Sequence, residues 1–414
     1  MNLLLLSLYY HPDPAANAVI ITALAQQLAA RGHRVTVVCA LPHYDRNAIW
    51  PAFRGKLLQR EQLDGVDVRR VWLYVPPSKA NLLGRLWNYI TFNVMSSLAG
   101  LGGPKPDVIL APSPPLTIGL SAWLLGLLRR CPYVYNVQDI YPDVAVRLGV
   151  LTSRKVIAFF AAMERFVYRH ARAVTVLSEG FRRNLLAKGV PNAKIVVIPN
   201  LVDTAALQPG VKDNPLARRE GLGDRFVVLF AGNVGLSQGL EHVLESARLL
   251  QGVKGLLFLI VGNGAAKPGL EQEAARMELT NVRFLPFQPR ADLADLYASA
   301  DVCLVPLKHG IADESVPSKM LSISAAGRPL IASVDEPSDT AQHVRESGCG
   351  LVVPPEDPQA LAAAIMALYR DPDRARRMGM LGRAHVETRF TPEVVGAAYH
   401  RLLECVANSP KRKG

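Results

Sequence analysis

The stretch DESVPSKMLSISAAGRPLIA, Asp313 to Ala332, carries the sharpest chemical signal in the chain. It reads as a loop running into a helix and then, through a glycine turn, into a strand. The start of a helix offers unpaired N–H groups with the helix dipole behind them, and such a terminus receives phosphate oxygens without a metal ion. Pro317 suits a first helical turn, Ser315 and Ser318 can cap or donate, and Lys319 adds a mobile positive charge. An ordinary capped helix has the same residue types, so a diphosphate site and a plain helix start both stand at this point.

Other segments pair glycine with strand ends. FAGNVGLSQGLEHVLESARLL, from Phe230, has the form strand, glycine loop, helix, and LIVGNGAAKPGLEQEA, from Leu259, repeats it, with Gly262 and Gly264 able to admit a ligand close to the backbone. YVYNVQDIYPDVAVRLG, from Tyr133, follows a strand, and open sheets bind ligands beyond the carboxyl ends of their strands, which points Asp139 and Asp143 at a ligand. Loop capping by either aspartate is an equal alternative. After the first strand, Pro14, Ala15, Ala16 and Asn17 form a small-residue loop at a helix start, and His11 precedes it. A dinucleotide GxGxxG is absent there, which disfavours an NAD enzyme. The one D-x-D, Asp371 to Asp373, lies between helical stretches and reads as a cap rather than a metal site.

The elements that must hold these residues follow from periodicity. Apolar runs at Leu3–Leu8, Arg34–Val38, Asp107–Leu110, Tyr133–Val137, Ala173–Leu177 and Lys194–Ile198 alternate with helical patterns at 18–30, 116–128, 155–169 and 179–188. This is βαβ repetition and predicts a doubly wound parallel sheet. A Pro-, Gly- and charge-rich break follows Asn200. The alternation then restarts at Phe226 and runs through strands at 255–261, 281–284, 300–305, 329–332 and 350–353. The reading is an α/β chain of two Rossmann-like domains facing a cleft: 1–205, 206–390, a terminal helix at 391–407 crossing back to the first domain, and a basic tail at 408–414.

Composition bounds the function. The net charge of +12 resides entirely in the first half, where residues 1–205 hold 23 Lys and Arg against 11 Asp and Glu, while the remainder balances at 24 against 24. An anionic partner for the first domain is expected. No nucleic-acid-binding pattern accompanies the charge, so a membrane surface or a lipid diphosphate is favoured over nucleic acid. Two charge-free stretches, Leu86–Pro104 and Val108–Leu128, are broken by polar residues, glycines or prolines and do not read as membrane spans. Five scattered cysteines and an N-terminus without a signal-peptide pattern fit a cytoplasmic protein, peripheral at the inner membrane.

On these motifs the chain resembles glycosyltransferase family four. Glu314, Pro317, Ala325, Gly327 and Pro329 match the family's acid-to-A-x-G-x-P spacing. The resemblance implies a GT-B fold and transfer of a hexosyl unit from a nucleoside diphosphate sugar, with retention and without a metal or other cofactor. Glu314 is implied to hold hydroxyls of the transferred sugar, and the segment Ser315, Val316, Pro317 and Ser318 the diphosphate. The family's second acid falls on Ser322, and its Arg and Lys in the glycine loop fall on Asn233 and Gln238. The helix after Gly239, together with Lys319, is expected to compensate for those lost charges. Gly235, Gly262, Gly264 and the turn around Phe287 are implied donor contacts. Glu314, Lys319 and Asp139 are the expected catalytic residues, and His11, Asn17 and Asp143 the acceptor side. The GN-x-G-x-x-QG variant resembles a bacterial branch making O-antigen, colanic-acid-like and other surface polysaccharides, whose acceptor is a saccharide or lipid-linked glycan. A sugar-nucleotide epimerase and a noncatalytic assembly partner remain open alternatives.

Overall fold

The computed structural model describes residues 1–77, 82–147, 149, 151–311 and 317–409. The chain forms two compact units, one of Met1–Asn200 with the stretch from Pro392 on, the other of Leu201–Thr391. The boundary falls at Asn200 rather than at 205, because Leu201 and Val202 are buried and the Val202 N–H donates to Phe390 O at 2.8 Å.

The first unit holds an eight-stranded sheet of β1 (Asn2–Ser7), β2 (Arg34–Ala40), β3 (Leu58–Leu63), β4 (Val66–Val71), β5 (Val108–Pro112), β6 (Tyr133–Val137), β7 (Ala173–Val176) and β8 (Ile195–Val197). Its order is β3-β4-β2-β1-β5-β6-β7-β8, so the winding reverses between β1 and β5. The sheet is not wholly parallel, as periodicity had implied. β3 pairs antiparallel with β4 through a tight turn at Asp64 and Gly65, whose φ angles of 50° and 80° are those of a hairpin that only an Asp-Gly type of pair takes readily. β3 is charged and half exposed, as a sheet edge should be.

The second unit holds an all-parallel six-stranded sheet of β9 (Phe226–Ala231), β10 (Leu256–Val261), β11 (Val282–Leu285), β12 (Val302–Pro306), β13 (Leu330–Ser333) and β14 (Gly350–Val353), in the order β11-β10-β9-β12-β13-β14. Its strands read as continuous apolar runs because both faces are covered. Val227, Leu229, Leu257, Leu259, Cys303 and Val305 pack in one core layer, while Val228, Phe230, Phe258, Ile260, Val302 and Leu304 pack in the other. The winding reverses between β9 and β12, which fixes where a ligand crevice forms.

The last helix, Pro392–Asn408, returns to the first unit. Arg31 Nη2 donates to Glu393 O at 2.8 Å, His33 Nε2 lies 2.7 Å from His400 Nδ1, and the Tyr399 hydroxyl is 3.4 Å from Thr175 Oγ1.

Candidate functional site

In the second unit the site begins where β9 stops. Gly232, at φ 143°, turns the chain out of the sheet, and the loop ends at Gly239, whose φ of 58° opens the helix Leu240–Leu249 without a side-chain cap. A carboxylate or hydroxyl at that cap would consume the first N–H groups, so their dipole end is left for another acceptor. Lys319, the first residue of the helix Lys319–Ala325, reaches across to this loop. Its ammonium donates to Gln238 Oε1 and lies 3.9 Å from the centroid of the buried Phe230 ring. Desolvation lowers the Lys319 amine to about 7. The amine is thus poised between charge states, and an anion beside it would restore its proton.

Gln238 and Lys319, 81 residues apart, are the expected donor-side residues that the fold brings into direct contact. The lysine therefore stands where the resemblance puts a cation missing from position 238. Asn233 is exposed on the same loop, and Gly235 leaves room for its amide, since a Cβ there would stand 2.7 Å from Asn233 Nδ2. Phe287 is exposed on the turn beyond β11, beside Gln288, which is buried and held by Pro286 O at 3.0 Å and Arg219 Nη2 at 3.3 Å.

The remaining expected residues of this unit have local roles of their own. A Cβ on Gly262 would stand 1.8 Å from Gly232 O, and one on Gly264 2.1 Å from Val234 O. These glycines serve the contact between two adjacent loops, where any side chain would meet backbone. Ser318 makes no side-chain cap, and the Pro317 carbonyl accepts from the Met320 N–H at 3.1 Å. Ser322 is half-buried within the helix Lys319–Ala325, where its carbonyl accepts from the Ala326 N–H at 3.0 Å. Glu314, Ser315 and Val316 lie outside the described residues. Asp371 caps the helix Pro372–Arg389 by accepting from the Arg374 N–H at 2.9 Å, as the capping reading of the D-x-D expects.

In the first unit, Asn17 and the segment bearing Asp139 meet around Ser113, at the carboxyl ends of β5 and β6. Asn17 Nδ2 lies 3.5 Å from Ser113 O, and Ser113 Oγ accepts from the Gln138 N–H at 2.9 Å. Asn17 Oδ1 is buried without a hydrogen-bond partner among the described residues. Asp139, next in sequence, is exposed. Asp143 does not join them: it accepts from Lys188 Nζ at 2.9 Å and Asn184 Nδ2 at 3.3 Å, and the same lysine binds the buried Glu164 at 2.8 Å. That is an ion-pair anchor between helices, and it accounts for Asp143 without a ligand. His11 is exposed, with its N–H donating to Thr22 Oγ1 at 3.1 Å and its carbonyl accepting from Arg70.

Asp13 was not among the expected residues. Its buried carboxylate accepts from the backbone N–H groups of His43 at 3.2 Å and Tyr44 at 2.9 Å. Burial pushes it up to about 6, against the lowering effect of those two donors. Tyr9 packs against His43 and Tyr44, with ring centroids 5.4 Å and 5.2 Å apart. The tyrosine pair at the end of β1 was the available signal.

Comparisons with known proteins give the family and the fold. The family described as glycosyl transferase 4-like domain matches residues 17–201, and the family described as glycosyl transferases group 1 matches residues 214–385. A putative colanic acid biosynthesis glycosyl transferase, WcaI of Escherichia coli, is 30% identical over 374 residues, covering 88% of this chain and 91% of that protein. Among solved structures, sucrose-phosphate synthase from Thermosynechococcus elongatus superimposes with a TM-score of 0.74 at 22% identity, over 97% of this chain and 98% of that one. Anabaena HepE in complex with UDP-glucose gives 0.74 at 18% identity, over 98% and 99%. The shared architecture is the GT-B fold.

Proposed function

Because this chain belongs to the glycosyltransferases, 4-like in its first half and group 1 in its second, we propose that it moves a hexosyl unit from a nucleoside diphosphate sugar to a glycan hydroxyl in surface polysaccharide synthesis. The colanic acid assignment of WcaI and the UDP-glucose bound by HepE support the pathway class and the donor class. The observation that carries the reading is the Lys319 ammonium on Gln238, beside the uncapped helix start at Gly239. This is a place for a diphosphate, built from one cation and a helix dipole.

On this reading the transfer proceeds with retention and needs no metal. Lys319 gains its full charge as the diphosphate binds and stabilises the negative charge that grows on it as the glycosidic bond breaks. Glu314 holds hydroxyls of the sugar in the orientation of attack. Asp139, with Asn17 near the same strand ends, orients the acceptor hydroxyl, whose proton passes to a phosphate oxygen of the leaving group on the same face. The acceptor is a lipid-linked glycan at the cytoplasmic face of the inner membrane, in keeping with the excess positive charge of the first half.

Glu314→Ala and Lys319→Ala each abolish transfer while thermal unfolding stays unchanged, and EDTA leaves the wild-type rate intact. Near-wild-type turnover in both variants rejects the site, and a strict need for a divalent ion rejects the charge arrangement. Thermal stabilisation by UDP-, GDP- and dTDP-sugars identifies the donor base.

A further inference from the structure

The helix Leu82–Leu101 turns the wrong residues inward for a helix that faces water. The row Gly84, Asn88, Phe92, Ser96 and Gly100 is buried. Two of these are polar and must be satisfied inside: Asn88 Nδ2 donates to Tyr74 O at 2.6 Å, and Ser96 Oγ to Asn93 O at 3.3 Å. The outward face instead carries Leu83, Leu86, Trp87, Ile90, Val94 and Leu98, each between 39% and 74% exposed. A surface helix normally shows the opposite distribution.

The neighbouring helix Ile118–Arg129 extends this face. Asn93 Nδ2 donates to Thr117 Oγ1 at 2.6 Å and Ser121 Oγ to Asn93 Oδ1 at 3.1 Å, while Gly100 lets Leu125 in so closely that a Cβ would stand 2.7 Å away. With that contact made, Leu124, Leu127 and Leu128 remain outside, at 40%, 63% and 56% exposure. Neither helix contains an Asp or Glu; Arg85 on the first helix and Arg130 directly after the second are exposed, as are Lys105 and Asp107 in the stretch between the two helices. An apolar patch of this size in water is unfavourable unless something covers it.

We propose that these two helices form an in-plane docking face for an anionic lipid bilayer, with the leucines and Trp87 at the acyl boundary and Arg85, Lys105 and Arg130 at the phosphate headgroups. Among the described residues no helix is long and apolar enough to cross a membrane, so the helix lies along the surface. The positive charges on and directly after two helices that hold no acid favour a bilayer over a second copy of this chain, since a two-fold contact would oppose like charges. The docking gives the lipid-linked acceptor of the proposed reaction its route to the enzyme, and rests on that reading only for its purpose.

The full chain is floated with phosphatidylcholine vesicles with and without phosphatidylglycerol. The wild type is expected to bind the anionic vesicles, less so as salt is raised, with a blue shift of tryptophan emission that Trp87→Phe removes. Val94→Glu with Leu98→Glu lowers partitioning at least about tenfold, while its melting temperature and its turnover on a soluble acceptor match wild type. Wild-type protein that ignores anionic vesicles at low salt, or a double variant that floats like wild type, overturns the docking face. So does a wild-type dimer that the double variant dissolves. Loss of transfer to every acceptor, with vesicle binding intact, counts against the transferase reading and not against the docking.

Discussion

Donor binding should take up a proton, and Lys319 should be the group that takes it. Its amine, lowered to about 7 by desolvation beside Phe230 and Gln238, lies below its ordinary value of 10.5. At about pH 8 only roughly a tenth of the free enzyme carries the charge. A diphosphate seated beside the amine favours the protonated form and returns it toward its ordinary value. Binding at about pH 8 then consumes about 0.9 proton, falling to about 0.5 near pH 7 and to almost none below about pH 5.5. By linkage, affinity weakens about tenfold for each unit of pH above about 7 until the pKa of the complex is passed. Titration calorimetry of a nucleotide sugar in buffers of different ionisation enthalpy measures the uptake directly, because the bridged diphosphate of such a donor does not titrate near pH 8. Lys319→Met should abolish the uptake and weaken binding about ten- to hundredfold, the loss of one charge-assisted hydrogen bond. No uptake by the wild type at pH 8, or the same uptake by Lys319→Met, would refute the reasoning.

Four further outcomes are expected. Restoring a cation at the loop position, Gln238→Lys in the Lys319→Met background, should recover at least about a tenth of wild-type kcat/KM, because the charge re-enters the same place from the other element; no recovery argues against relocation of the charge. Gly264→Ala drives a Cβ toward Val234 O at 2.1 Å and should cost about 3 kcal/mol of stability, read by denaturant unfolding; a wild-type midpoint refutes the loop contact. The Asp13 carboxyl is raised from 3.8 to about 6, so the folded state holds its proton more tightly than the unfolded chain. Relative to Asp13→Asn, the wild type should be most stable below about pH 4, lose roughly 3 kcal/mol between about pH 4 and 6, and change no further above that; a flat difference across this range shows that the carboxyl is not desolvated. Lys188→Ala leaves Glu164 buried without its cation and should destabilise the protein by about 3 kcal/mol without altering the acceptor KM; a raised KM with unchanged stability returns Asp143 to the acceptor side.

The sequence by itself determined the layered α/β architecture, because uninterrupted apolar runs such as Leu256–Val261 suit only strands buried on both faces. It also located the loop at Gly232–Gly239 and the segment at Lys319, since glycine at strand ends and proline at helix starts are local backbone requirements. It gave no such signal for the β3–β4 hairpin, whose strands are charged and alternate weakly; only the Asp-Gly pair at its turn could have revealed it. Pairings across long sequence separations were decided by tertiary structure alone. Lys319 meets Gln238 only because β9 and β12 are neighbours in a sheet whose winding reverses there. Asp143 is occupied by Lys188 from a helix 45 residues away, and Gly262 packs on a loop 30 residues earlier. Residue type states what a side chain can do. Whether a charge awaits a ligand or is already neutralised by a partner depends on which elements the sheet order brings side by side.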